Sequence, residues 1–286
     1  MKTFRWYYIG LFFIFSCLYG IQAASVAPLY VTDKDKEIYE QYVKTMDSKG
    51  KLPWDNLLIE TALYFLNTPY VASTLEKDPE GLVVNLREMD CTTFAENVLA
   101  LARTVRNGEP SFEHFCRNLQ QIRYREGTIS DYTDRLHYMT DWLYVNEQKG
   151  IVKDINKETG GKVYPLHLSF ISTHPDSYKP LQSDPERVKR MADKEKEINS
   201  RSYYYIPEKD IPALSSQLKN GDIVCFTTSI EGLDVTHVGI VYKQEGTTTF
   251  IHASSSAKKV IINPDSISTY VEKIKTNTGI IVARPL

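Results

Sequence analysis

The period of the apolar residues changes once along this 286-residue chain, near Tyr203. Before that point they recur at helical spacing, in segments from Asp35 to about Lys49 and from Asp55 to about Asn67, the second with Leu57, Thr61, Leu63 and Leu66. In "MDCTTFAENVLAL", Cys91, Phe94, Val98 and Leu101 fall on one helical face behind Asp90, a good capping residue. The run "SFEHFCRNLQQIRY" predicts a helix burying Phe112, Phe115, Cys116 and Leu119, and "DYTDRLHYMTDWLYVNEQKG" one helix from about Asp131 to a stop at Gly150. Residues 151–182 read as extended structure and loops, and 184–200 as a charged, solvated helix. After Tyr203 come short β-rich runs at 221–228, 236–242, 247–254, 258–264 and 278–285, separated by turn residues. Helices first and antiparallel strands later predict an α+β fold.

The first 25 residues carry Lys2 and Arg5, an apolar run from Trp6 to Leu18, and small residues at Ala23 and Ala24. That layout predicts a signal peptide over 1–23 and an exported, periplasmic protein. A second reading takes "IFSC" as an imperfect lipoprotein box, with Cys17 as the anchored residue. No later run is long and apolar enough for an integral membrane span. Removing residues 1–23 lowers the 34 basic residues to 32 against 36 acidic ones, a balance of −4. Such a mixed, mildly acidic chain has no electrostatic footprint for nucleic acid. The remaining residues 24–286 suffice for a single domain, and nothing in them demands a partner subunit, so a monomer is expected.

Of the four cysteines, three remain after cleavage: Cys91, Cys116 and Cys225. In an oxidising compartment at least one cannot pair within the chain. Cys116 and Cys225 read as core residues. Cys91 reads either as a packed core thiol or as a nucleophile whose pKa is lowered at a helix N-terminus.

The hairpin near residue 245 brings further chemistry. With "KQEG" (243–246) as a four-residue loop, Tyr242 faces Thr247 and His237 faces His252. Directly opposed residues share a face, with Cβ atoms roughly 4.5–5.5 Å apart, and Gly239 would leave open space beside the imidazole. The pair admits three readings: half-exposed strand histidines, two metal ligands, or a base and its orienting partner. A zinc site needs three or four donors, and the hairpin places no third, so no metal and no cofactor are expected. With Cys91 as nucleophile, His237 would be the base, His252 its orienting partner, and N–H groups at the start of the Cys91 helix an oxyanion hole.

The motifs "NTPY" (67–70), "MDCTTF" (89–94), "LKNGDIVCF" (218–226), "THVGIVY" (236–242) and "FIHAS" (250–254) resemble, in this order, the NlpC-type papain-like cell-wall hydrolases. With "VVNLREMDCTTFAENVLAL" and "IRYREGTISDYTDRLHYMTDW", the chain most resembles the N-acetylmuramoyl-L-alanine amidase branch, formerly catalogued as a domain of unknown function. "DCTT" stands where the endopeptidases have Asp-Cys-Ser-Gly, and about 110 extra residues precede "NGDIV". The resemblance implies a papain-like core of helix plus antiparallel sheet, with a helical and loop insertion at about 102–217. It implies catalytic Cys91, His237 and His252, and a peptidoglycan fragment (muropeptide) as substrate, cut between muramic acid or its anhydro form and L-alanine through a thioester. Tyr70 matches a family tyrosine beside the nucleophile. Arg135 and His137 are candidate contacts to a substrate carboxylate or lactyl group, although two residues apart on a regular helix they cannot point the same way. The alternatives are a γ-D-glutamyl-diamino-acid endopeptidase, a non-catalytic wall-binding module, and transglutaminase-like acyl transfer, which wants an Asp where His252 stands.

Overall fold

The computed structural model describes residues 27–286 apart from 109. The expected signal peptide and Cys17 lie outside the described residues. Nine α-helices are described: α1 (Asp33–Met46), α2 (Trp54–Tyr64), α3 (Cys91–Arg106), α4 (Phe112–Arg123), α5 (Met139–Gln148), α6 (Phe170–Thr173), α7 (Pro185–Asn199), α8 (Ile211–Leu214) and α9 (Ile267–Lys273). The strands are β1 (Leu29–Tyr30), β2 (Leu82–Val83), β3 (Val152–Asp154), β4 (Lys162–Val163), β5 (Tyr204–Pro207), β6 (Ile223–Thr228), β7 (Val235–Gln244), β8 (Thr247–Ser254), β9 (Lys259–Ile262) and β10 (Asn277–Pro285). The fold is α+β. Eight strands form an antiparallel sheet in the order β4-β5-β10-β6-β7-β8-β9, with β3 also on β10, while β1 and β2 make a separate parallel pair. The segment expected as an insertion therefore supplies β3, β4 and β5 to the sheet.

Both faces of the central strands are covered, which is why "DIVCF" and "VGIVY" read as nearly continuous apolar runs. On one face Cys225, Val238, Ile240, Ile251 and Ala253 pack with Phe94, Val98 and Leu101 of α3. On the other, Val224, Phe226, Val241, Phe250 and Ile280 pack with Ile267 and Val271 of α9. Among the described residues no helix is long and apolar enough to cross a membrane.

Two expectations are corrected. The segment 131–150 is not one helix: a 3-10 turn at Tyr132–Asp134 gives way to extended backbone at Arg135, which bridges Tyr124, and α5 begins only at Met139. The new start is capped from far away, because Asp234 accepts from the Thr140 N–H at 2.8 Å and its hydroxyl at 2.9 Å. A cap 94 residues distant leaves no local sequence signal. The hairpin register also differs. Glu245 and Gly246, at φ of 49° and 80°, form a two-residue turn, so Gln244 faces Thr247 and Tyr242 faces Thr249. Positive φ at both central residues suits a turn whose twist matches the strands, which extends the ladder by one pair. The register moves by two residues along one strand, so each residue keeps its face.

The loop leading to Cys91 is tied down by buried charge. Asp35, fully buried, accepts from the Leu86 N–H at 2.8 Å and pairs with Arg87 at 3.1 Å. Glu96 and Arg123, both almost fully buried, pair at 2.7 Å, and Arg123 also donates to the Val83 carbonyl at 2.7 Å. Burial raises the Glu96 pKa and the Arg123 charge opposes that rise. Arg123→Met would strand the Glu96 carboxylate, and urea unfolding is expected to show a loss of about 3–5 kcal/mol. A loss below about 1 kcal/mol would contradict this role for the pair.

Candidate active site

The site is assembled where the N-terminus of α3 meets β7. Asp90 caps the helix: its carboxylate accepts from the Thr93 N–H at 2.8 Å, and the Thr93 hydroxyl accepts from the Asp90 N–H at 2.9 Å. This reciprocal cap fixes the entry angle of the chain and makes Cys91 the first helical residue. Cys91, a half-buried residue, packs against the core layer that contains Val238 of β7, and polar interactions with the Val238 backbone and with Thr92 favour its thiolate. Val238 directly follows His237, so the contact brings the thiol to the histidine strand.

Loss of hydration pushes the Cys91 thiol up to about 11, the Asp90 carboxylate adds to the rise, and the polar groups of the Val238 backbone and Thr92 only partly offset it. The expected lowering at a helix N-terminus is therefore corrected: burial outweighs what the helix end offers the thiolate, and the acidic cap beside it adds to the rise. Burial lowers the imidazoles too, His237 to about 4 and His252, with His237 beside it, to about 3. At neutral pH the thiol and both imidazoles are uncharged.

His237 and His252 converge as expected but not as a directly opposed pair. In the observed register Gly239 is the residue facing His252, and His237 reaches it diagonally. The His237 Nε2 and His252 Nδ1 atoms are 2.5 Å apart, with ring centroids separated by 4.7 Å. The space beside Gly239 is not open. A Cβ there would come within 2.5 Å of the Phe250 ring, which packs on His252 at 4.6 Å. Gly239 thus admits the phenylalanine that holds the second imidazole.

Two further groups meet the pair. Asn263 Nδ2 lies 3.1 Å from His252 Nε2. Tyr270 of α9 lies 6.0 Å from the His237 ring between centroids, and the Cys91 thiol contributes to the raised pKa of its phenol. Tyr70 is also beside Cys91, because its backbone is strung between Lys258 and Met89 and its phenol pKa is raised in part by the thiol. A cavity of about 470 Å³ opens beside the histidines, lined by His237, His252, Asn263, Tyr270, Ser254 and Ser256 among others. Among the described residues no group of three or more His, Cys, Asp or Glu side chains could hold a metal ion.

The family model described as N-acetylmuramoyl-L-alanine amidase-like matches residues 60–280. The chain belongs to that amidase-like family. An N-acetylmuramoyl-L-alanine amidase from Bacteroides uniformis shares 37% identity over 81% of this chain and 98% of its own, with a TM-score of 0.77. A Bacteroides fragilis structure described as a xylanase candidate shares 41% identity over 79% of this chain and 99% of its own, with a TM-score of 0.75. A Legionella pneumophila protein, 22% identical over 88% of this chain and 94% of its own, shares the fold at a TM-score of 0.66. A search of curated proteins finds no match.

In this amidase-like chain the structure brings together Cys91, His237, His252 and Tyr70. Arg135 and His137 take different positions. Arg135, 5% exposed, is held by Glu76 at 3.0 Å and by Glu80 at 3.2 Å, and lies 4.7 Å over the Tyr132 ring. The His137 Nε2 atom meets the Tyr132 carbonyl at 2.9 Å, and its ring packs on Tyr132 from 4.4 Å. The two residues therefore share one aromatic neighbour, which extended backbone permits and a regular helix would not. Cys225 is a free thiol buried in the core, as expected, whereas the free thiol of Cys116 is half-buried and packs against that core.

Asn263, Tyr270 and Phe250 are members of the site that no sequence motif marks. Asn263 falls in the β-rich run 258–264 without a role of its own, and "SISTYVEK" (266–273) lies in the stretch between two such runs. The usable signal was the alternation of β9 carried past its end, together with Ser266 as a capping residue before Ile267 and Val271. With the thiol pKa near 11, alkylation of Cys91, followed on its own peptide by mass spectrometry, should accelerate about tenfold per pH unit from about pH 6 to 9. A rate plateau below about pH 7 would mark a preformed thiolate–imidazolium pair instead.

Proposed function

We propose that this chain is a papain-like cysteine amidase that cleaves the bond between N-acetylmuramic acid, or its anhydro form, and L-alanine in peptidoglycan fragments. One observation carries the reading: Cys91, the first residue of α3, docks with that helix on the strand that carries His237, and Tyr270 stands against both the thiol and the His237 ring. The uncharged thiol attacks the lactyl carbonyl as His237 accepts its proton, so nucleophile and base are generated in one step rather than waiting as an ion pair. The Cys91 N–H, at the open end of α3, is placed for the developing oxyanion, and Tyr70 stands next to it. The C–N bond then breaks, His237 returns the proton to the leaving L-alanine nitrogen, and a thioester remains. Water, deprotonated by the same imidazole, hydrolyses that thioester.

Glycan hydrolysis, the description given to the Bacteroides fragilis relative, would require two carboxyl groups across the scissile bond. The nearby carboxylates serve otherwise here: Asp90 caps α3, Glu96 pairs with Arg123, and Glu76 and Glu80 hold Arg135. The amidase of Bacteroides uniformis supports the amide as the target. The protein is exported to the periplasm and meets its substrate there as a monomer. The elements between α3 and β6 restrict it to small soluble fragments rather than the intact wall.

Defined muropeptides incubated with the protein should yield the free sugar and a peptide with a new L-alanine amino terminus, identified by mass spectrometry. Cys91→Ala should abolish turnover, and His237→Ala should reduce it by about 10²–10⁴. Release of a muramoyl dipeptide, or unchanged cleavage by Cys91→Ala, would overturn the reading. Digestion of intact sacculi as fast as fragments would overturn the size restriction.

A further inference from the structure

The chain of contacts behind His237 has a direction, and Asn263 sets it. The Asp265 backbone N–H donates to the Asn263 Oδ1 atom at 2.9 Å. A backbone N–H can only donate, so the oxygen of the amide is committed to Asp265 and its NH₂ group faces His252. That NH₂ group, 3.1 Å from His252 Nε2, can also only donate. His252 Nε2 must then offer a lone pair, and the proton of this neutral imidazole resides on Nδ1. Nδ1–H in turn donates to His237 Nε2 at 2.5 Å, which leaves the His237 proton on Nδ1. The nitrogen that remains free of His252 therefore carries a hydrogen, whereas a general base needs a lone pair there.

We propose that Asn263 is a positioning residue that fixes the direction of the His237–His252 proton chain, and that its amide turns over to make His237 a base. The proposal rests on the cysteine amidase reading for its meaning in catalysis, though not for its geometry. With the amide turned, Asn263 Oδ1 accepts from His252 Nε2–H, His252 Nδ1 accepts from His237 Nε2–H, and His237 Nδ1 presents a lone pair. Both arrangements hold the same two protons and differ only in where they sit. The turn gives up the bond from the Asp265 N–H and sets the Asn263 NH₂ group against that same donor, so the resting direction is the favoured one until catalysis demands the other. Burial makes the choice sharp: His252 is 3% exposed and Asn263 7%, so solvent does not readily substitute for either partner.

The other groups around the pair do not set this direction. Tyr270 and Phe226 pack on the rings at 4.7 Å from each other between centroids, and the Asp265 carboxylate is occupied by Lys273 at 2.6 and 2.7 Å. Cys91 approaches from α3, through Val238. Asn263 is the one described side chain bonded to His252 Nε2.

Asn263→Asp separates the two arrangements, since a carboxylate accepts from Asp265 and from His252 together. In wild-type protein with ¹⁵N-labelled histidine, nitrogen chemical shifts should show His252 protonated on Nδ1 and bare on Nε2. In Asn263→Asp the pattern should reverse, kcat should rise above the wild-type value, and the acid limb of the pH–rate profile should move up by about one unit. A carboxylate favours the protonated imidazole, which sets the sign of that movement. A protonated His252 Nε2 in the wild type, or an unreversed pattern in the variant, would overturn the proposal. A reversed pattern with kcat at or below the wild-type value would overturn the claim that the turned arrangement is the working one. Should the variant fail to fold, the wild-type pattern alone decides. Because the spectra need no substrate, failure of the amidase reading is seen separately, as a wild type that releases no product.

Discussion

Everything chemical in this molecule depends on the packing of one helix end against one strand. Phe94, Val98 and Leu101 press α3 onto Val238, Ile240 and Ile251, and that apolar layer sets how far the chain can slide. The Asp90–Thr93 cap starts the helix at the thiol-bearing residue, and the docked helix sets that thiol against the strand of His237. Neither element carries a site alone. Hydrophobic burial, which is nondirectional, supplies the adhesion, and the cap supplies the direction.

The same packing determines the electrostatics. A dry junction makes charge costly, so the thiol and both imidazoles rest uncharged instead of as an ion pair. Asp90 shows how structural and chemical demands compete at one residue. Its carboxylate stabilises the helix by satisfying the Thr93 N–H, yet its charge works against the thiolate next to it. Beneath the site, the buried pairs of Asp35 with Arg87, Glu96 with Arg123 and Arg135 with Glu80 hold the loop from Val71 to Asp90 in place. Each guanidinium is matched to a carboxylate, so their placement serves the loop that presents Cys91.

Much of this was legible in the sequence because its signals are local. The change of period at Tyr203 separates helices from sheet, Asp90 announces the start of α3, and the face shared by His237 and His252 survives the error in loop length because the register moved by two. What stayed hidden depends on partners far along the chain. Asp234 starts α5 from 94 residues away, so Arg135 and His137 leave the helix assigned to them. Burial reverses the direction expected for the Cys91 thiol, and burial is a property of the assembled layers, not of "MDCTTF". Asn263 and Tyr270 join the site from just past β9 and from α9, a β-rich run and a stretch between runs that carry no chemical signal of their own.

The central claim is that Cys91 takes up the muramoyl group and expels the peptide. Rapid mixing of the protein with an anhydro-muropeptide, acid quenching within the first turnover and intact mass measurement would weigh the covalent intermediate directly. The account predicts a mass increase equal to the muramoyl acyl group, located on the Cys91 peptide and absent in Cys91→Ala. An adduct that also contains L-alanine and D-glutamate would place the cut at the γ-D-glutamyl bond and contradict it.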